Sequence, residues 1–187
     1  IASYEVARTT IGKRLSLTDI KTQAGSIEQD SSYYKQRRHI SETLKKYHNF
    51  IKSILMYQYF TQKPILKSDG TMSYQKLRLL DSGVGEGGDI MKAYHCKVKT
   101  LVGIDYNSLG LTKVDGAVDR YNQHMKRYPG FPKMEFFNAD FGSNLDMKSQ
   151  KASLTAITPQ SLQQIKKQFG SGSKKFDGIN SQFMLHY

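Results

Sequence analysis

Apolar positions between residues 40 and 60 recur at helical spacing: Ile40, Leu44, Tyr47, Ile51, Ile54 and Leu55. This period predicts an amphipathic helix, with Ser41 placed to cap its start. Asn49 and Lys52, three residues apart, share a face that adjoins the apolar stripe without belonging to it. A loop with Pro64, Asp69 and Gly70 is expected to end this unit. The pattern then changes to short apolar runs. Lys76–Leu80 predicts a strand, followed by Asp81 and a loop carrying Gly83, Gly85, Gly87 and Gly88. A helix is expected from Asp89 to about Tyr94. Thr100–Ile104 is apolar throughout, as a strand buried on both faces should be, and ends in Asp105. Ser108–Tyr128 reads as one polar helix with Arg120 and Tyr121 near its middle, broken by Pro129, Gly130 and Pro132. Met134–Ala139 predicts a third strand, again followed by an aspartate, Asp140. After an insertion rich in Lys, Ser and Gln, Thr158 and Pro159 make a helix start, and Leu162, Ile165 and Phe169 line one face before Gly170. Phe176–Leu185 predicts a fourth strand, and the sequence closes on His186 and Tyr187.

Alternating strands and helices predict an α/β fold built on a parallel sheet with helices on both faces. Right-handed crossovers would bring the strand tips to one edge, where open α/β sheets bind ligands. Asp81, Asp105, Asp140, His186 and Tyr187 would line that crevice. Residues 1–39 lack a clear period and are expected to be a basic linker or junction, with 40–187 as the domain. Within the junction, Tyr33, Tyr34, Lys35, Arg37 and Arg38 mix rings with cations, a combination that stacks on bases and pairs with phosphates. A solvated stretch anchored by two tyrosines is the plainer alternative.

Composition narrows the partner. The 187 residues carry a formal charge of +12, which favours a polyanion, with nucleic acid ahead of an anionic membrane. No apolar run approaches the length of a membrane span, and no signal peptide is expected. The sequence begins at Ile1, so a piece of a longer protein is expected. Cys96 is the sole cysteine, which excludes an internal disulfide and a cysteine-based zinc site and fits a reducing compartment. The five histidines show no metal-ligand spacing, so no metal is expected.

The glycine loop is the candidate for chemistry. A strand, a tight glycine turn and a helix start let a ligand approach the main chain. An acidic residue at the tip of the next strand, roughly twenty residues on, suits a ribose diol. Gly83, Gly85 and Asp105 meet that description and point to a nucleoside-bearing cofactor. Glu86 and Asp89 beside the loop are poor company for a pyrophosphate. They suit a cofactor with a cationic part, such as the sulfonium and amino group of S-adenosylmethionine.

Three blocks then resemble one family, the mRNA cap guanine-N7 methyltransferases. Tyr47-His-Asn-Phe-Ile-Lys-Ser-Ile-Leu55 is similar to its Asn-x-x-Lys-Ser helix. Leu80-Asp-Ser-Gly-Val-Gly-Glu-Gly-Gly-Asp89 is similar to its cofactor loop. Asn180-Ser-Gln-Phe-Met-Leu-His-Tyr187 is similar to its Gln-Phe-x-x-His-Tyr strand end. The resemblance implies a Rossmann-like class I S-adenosylmethionine-dependent methyltransferase, with the family's C-terminal strands absent from this chain and the fourth strand left as an edge. It implies that Lys52, Asp81, Gly83, Gly85, Asp105, Asp140 and Gln182 hold S-adenosylmethionine, with Asp105 on the ribose and Asp140 toward the adenine. It implies that Asn49, His186 and Tyr187 touch the cap guanosine and that Arg120 faces the cap phosphates. S-adenosylhomocysteine would be the product, without metal or covalent intermediate. The implied partners are 5′-capped mRNA and the triphosphatase and guanylyltransferase parts of a capping enzyme, with no membrane. The setting would be a nucleus, or host cytoplasm or virion for a large DNA virus. Departures are Glu86 where the family has a lysine, and Ser82 and Val84 where it has Leu and Cys. A methyltransferase for another substrate and a non-catalytic cap- or RNA-binding module stay open as alternatives.

Overall fold

The computed structural model describes residues 42–182, with side chains from residue 44. The expectations placed on residues 1–39, on His186 and Tyr187, and on the end of the fourth strand lie outside the described residues. The chain opens with helix α1 (Glu42–Phe60), then strands β1 (Lys63–Leu66), β2 (Met72–Gln75) and β3 (Arg78–Ser82). Helix α2 (Ile90–His95), strand β4 (Thr100–Asp105), helices α3 (Ser108–Thr112) and α4 (Ala117–Arg127) and strand β5 (Lys133–Asn138) follow. Helices α5 (Met147–Ser153) and α6 (Pro159–Phe169) lead to β6 (Gly178–Asn180).

Strands β5, β4, β3 and β6 pair in that order, all parallel. Each pairing extends to the strand ends, so Asp81 pairs with Gly103 and Asn180, Ser82 with Ile104, and Asp105 with Asn138. The C-terminal tips therefore share one edge, and β6 is an edge strand among the described residues.

Strand residues alternate between two cores, as the two-residue period of a strand requires. Leu79, Leu101 and Met134 pack with Met56 of α1, Ile90 and Ala93 of α2 and, at the margin, Tyr121 of α4. Leu80, Val102, Ile104 and Phe137 pack with Leu162 and Ile165 of α6. Helices thus cover both faces, giving the expected Rossmann-like α/β layering. Local chemistry sets the α6 boundary: the Thr158 hydroxyl accepts from the Ser161 N–H at 3.1 Å, and Pro159 sits in the first turn.

Several expectations need correction. The region around Pro64 is not a plain loop but an antiparallel β1–β2 hairpin, with Pro64 opposite Tyr74 and Leu66 opposite Met72. The first strand of the parallel sheet starts at Arg78 rather than Lys76 and includes Asp81 and Ser82. The long polar helix is two helices, because Asp115 turns to φ 58° and leads into Gly116. Helix α5 occupies the insertion, capped by Asp146, which accepts from the Lys148 and Ser149 N–H groups. The third strand ends at Asn138. In α1 the buried residue is Met56, whereas Leu44, Tyr47, Ile54 and Leu55 are exposed. Polar anchoring explains this turn of the helix: the face with Asn49 and Lys52 is drawn inward by charged groups on the glycine loop and α2.

Candidate functional site

Four small networks surround the glycine loop. The first ties it to β4. The N–H groups of Gly83 and Val84 donate to the Ile104 carbonyl at 2.8 and 3.0 Å. Asp105 then accepts from the Gly85 N–H at 2.7 Å and from the Asn107 N–H at 2.8 Å. Gly85 takes φ 55° and has no atom within 4 Å of where a Cβ would stand, so its free side faces open space.

The second network joins α1 to the loop. Lys52 Nζ and Lys92 Nζ each lie 2.8 Å from a different carboxylate oxygen of Asp89. Lys92 also donates to the Gly88 carbonyl at 3.1 Å and reaches Asn49 Oδ1 at 3.4 Å. Burial pushes the Asp89 carboxyl up, but the two lysines outweigh it and hold the group below its ordinary value.

The third network runs across β3 and β6. Asp81 is 3% exposed and accepts from Asn180 Nδ2 at 2.8 Å. Gln182 Nε2 in turn donates to Asn180 Oδ1 at 2.7 Å. Burial, and then repulsion from Asp89, push the Asp81 carboxyl up to about 7, against the Asn180 hydrogen bond and the charge of Lys52. Gln182 Oε1 is buried and without a hydrogen-bond partner among the described residues. An orphaned acceptor of this kind is costly unless something donates to it. Asn180 and Gln182 also border a groove of about 390 Å³ between β6 and the Leu55–Tyr59–Phe60 side of α1.

The fourth network concerns Glu86. Lys113 Nζ lies 2.6 Å from its Oε1, and Arg120 Nη2 lies 3.7 Å from its Oε2. This corrects the charge argument made from sequence. Glu86 and Asp89 are both ion-paired, so they do not by themselves repel an anion. The carboxylate that would meet a cationic ligand is Asp81, whose hydrogen-bond donor Asn180 is neutral.

Among the expected site residues, the structure brings Asn49, Lys52, Asp81, Gly83, Gly85, Asp105, Arg120 and Gln182 around this loop. Asp140 is placed differently. Its carboxylate accepts from the Gly142 N–H at 2.8 Å, from Ser143 Oγ at 2.7 Å and from the Ser153 hydroxyl. Burial raises its pKa, but these donors prevail and keep it low. Asp140 therefore organises the loop that follows β5. Sequence reasoning missed Lys92, Lys113, Asn138 and Asn180. Asn138 Nδ2 fastens the β4 tip by donating to the carbonyls of Asp105 and Tyr106 at 2.8 and 2.7 Å. Lys92 had a sequence signal, its three-residue spacing from Asp89. Asn180 opens the Asn180–Tyr187 block, but its partner Asp81 is distant in sequence, as Glu86 is from Lys113, so no local pattern marks either contact. Among the described residues, no group of three or more His, Cys, Asp or Glu side chains could hold a metal ion.

The family model for the mRNA (guanine-N(7))-methyltransferase domain matches residues 25–187. The chain belongs to this family. A protein named probable mRNA-capping enzyme, from Acanthamoeba polyphaga mimivirus, is 29% identical over 180 residues, which are 96% of this chain and 14% of the relative. The mRNA cap guanine-N(7) methyltransferase of Cryptococcus neoformans var. neoformans serotype D (strain JEC21 / ATCC MYA-565) is 29% identical over 146 residues, 77% of this chain and 18% of the relative. The chain thus spans less than a fifth of the length of either relative. In this chain the loop position Glu86 is met by Lys113, so a lysine stands beside the loop although the loop itself carries an acid.

Proposed function

We propose that the chain is the methyltransferase portion of a larger capping enzyme and moves a methyl group from S-adenosylmethionine to N7 of the mRNA cap guanosine. The observation that carries this reading is the relay at the glycine-loop edge in which Gln182 donates to Asn180 and Asn180 to Asp81, in a chain that matches the guanine-N7 methyltransferase family model. The residues present fit the cofactor. Among the described residues, the buried Asp81 carboxylate has no cation in direct contact and Gln182 Oε1 has no hydrogen-bond donor; a sulfonium and an ammonium would satisfy both. Gly83 and Gly85 are both at positive φ, Gly85 has no atom within 4 Å of where a Cβ would stand, and Asp105, a carboxylate at the β4 tip beside Gly85, would take the ribose. Lys52 would turn part of its charge to the cofactor carboxylate. Asp140 would act on the adenine side, through its position after β5.

S-adenosylmethionine would supply an already activated methyl group. Guanine N7 has a free lone pair, so no residue is needed to remove a proton from the nucleophile. The chain's work is then placement and electrostatics. Asn49 and, from the family motif, His186 and Tyr187 would orient the guanine. Arg120 and Lys113, gathered by Glu86, would receive the cap phosphates by opening toward them. The triphosphatase and guanylyltransferase parts of a capping enzyme would supply the capped substrate.

Calorimetry with S-adenosylmethionine, paired with a methylation assay, tests the assignment of roles. Asp105→Ala is expected to abolish cofactor binding. His186→Ala is expected to lower cap methylation while cofactor affinity survives. Unchanged affinity in Asp105→Ala, or equal loss of binding and turnover in His186→Ala, would overturn these roles.

A further inference from the structure

Beyond Arg120, helix α4 carries features that the methyl-transfer site does not use. Arg120, His124 and Arg127 fall within one arc of it, since each residue turns the helix by about 100°. Their line covers roughly 10 Å at 1.5 Å per residue. It starts at the glycine loop, where Arg120 lies 3.7 Å from Glu86. Burial, followed by the charges of Arg120 and Arg127, lowers the His124 pKa, so the three groups face one another. The acid on this helix, Asp119, is turned to the Asp115 N–H and to Gln123. Beside the line stand ring faces. His124 and Tyr128 lie 5.8 Å apart, Tyr128 and Phe131 6.4 Å, and Phe131 stacks on Tyr94 at 5.0 Å. The Arg127 guanidinium carbon is 5.6 Å from the Tyr128 ring centre.

Resting on the cap reading above, we propose that this flank of α4, with Arg127 and Tyr128 at its far end, holds the single-stranded RNA that follows the cap. Two guanidinium groups on either side of an imidazole, with adjoining ring faces, track a phosphate chain and stack its bases without sequence preference. An anionic membrane fits less well. The exposed apolar residues of α4, Val118 and Met125, lie on the opposite flank from the cations and could not enter a bilayer while the cations met its headgroups.

The test is fluorescence anisotropy of the whole chain with a capped single-stranded RNA of about ten nucleotides, within the site sizes of single-strand binders. Arg127→Glu and Tyr128→Leu are each expected to weaken RNA binding by about tenfold, the equivalent of one contact of about 1.4 kcal/mol. Arg127→Glu should also reduce the salt-dependence slope by about 0.7, the value for one single-strand phosphate contact. Affinities for a cap dinucleotide and for S-adenosylmethionine should stay at wild-type values, and Tyr128→Phe should restore RNA binding. Unchanged RNA affinity and salt slope in both variants would overturn the proposal. So would an equal loss on the cap dinucleotide, or a loss confined to phosphatidylserine vesicles. Discrimination between capped and uncapped RNA by the wild-type chain reads the cap assignment separately, so the two ideas fail independently.

Discussion

Asp81 is buried beside Asp89 and accepts from a neutral amide, Asn180. Its folded-state pKa, about 7, lies above the ordinary value of about 3.9. A carboxyl raised in this way stabilises the fold fully below its unfolded pKa and loses that contribution as pH rises through the folded value. Asp81→Asn should therefore leave stability at pH 4 little changed and raise it at pH 8 by a few kcal/mol, since each tenfold change in the ionisation equilibrium is worth about 1.4 kcal/mol. Thermal melts of both proteins across that range check this, and parallel curves would contradict it. The same group sets the expected pH dependence of binding. A cationic cofactor needs the carboxylate, so S-adenosylmethionine affinity should fall as pH drops through about 7 and be weak and nearly flat in Asp81→Asn. Asp81 itself was legible from sequence as a strand-tip acid. Its partner was not, because Asn180 lies 99 residues away and meets it through strand pairing.

At the level of elements, Asp89 joins α1, the loop and α2 through Lys52 and Lys92. Lys92 is 8% exposed, so removing its counter-charge would leave a buried ammonium unpaired. Asp89→Ala is expected to destabilise the fold by about 3 kcal/mol, with faster amide exchange in α1. Urea unfolding and hydrogen exchange measure both, and wild-type values for each would show that α1 docks by other means. The loop makes a second prediction by contrast. A Cβ on Gly87 would stand 2.5 Å from Ile90 Cδ1 and 3.0 Å from the Ala117 backbone, at φ 77°, whereas one on Gly88 would meet nothing within 4 Å. Gly87→Ala should cost about 2 kcal/mol and Gly88→Ala less than about 1 kcal/mol in urea unfolding. Equal effects would contradict this reading of the loop. The buried strands were legible because Leu79, Leu80, Leu101 and Val102 must leave water on both faces of the sheet. The hairpin was not. All four residues of β1 are exposed, and its pairing with β2 rests on backbone register rather than on a hydrophobic alternation. Exposure also misled the reading of α1, whose apolar stripe at Tyr47, Ile54 and Leu55 faces outward while Asn49 and Lys52 turn toward α2.

At the scale of the whole molecule, the order of strands and helices and the glycine loop were enough to anticipate a parallel α/β sheet with its C-terminal strand tips on one edge. The family motifs were legible because each lies in one contiguous block, Tyr47–Leu55, Leu80–Asp89 and Asn180–Tyr187. Electrostatic balance was not legible, since Glu86 and Asp89 find Lys113, Arg120, Lys52 and Lys92 only in three dimensions. The formal charge of +12 already counts those acids as cancelled, and it is the excess that motivates the proposal of a polyanionic substrate. The most direct measurement offers the protein labelled S-adenosylmethionine together with GpppA-capped and uncapped RNA of the same sequence. The account predicts label on the capped RNA alone, at guanine N7. Label on both RNAs, or on neither while S-adenosylmethionine binds, would contradict it.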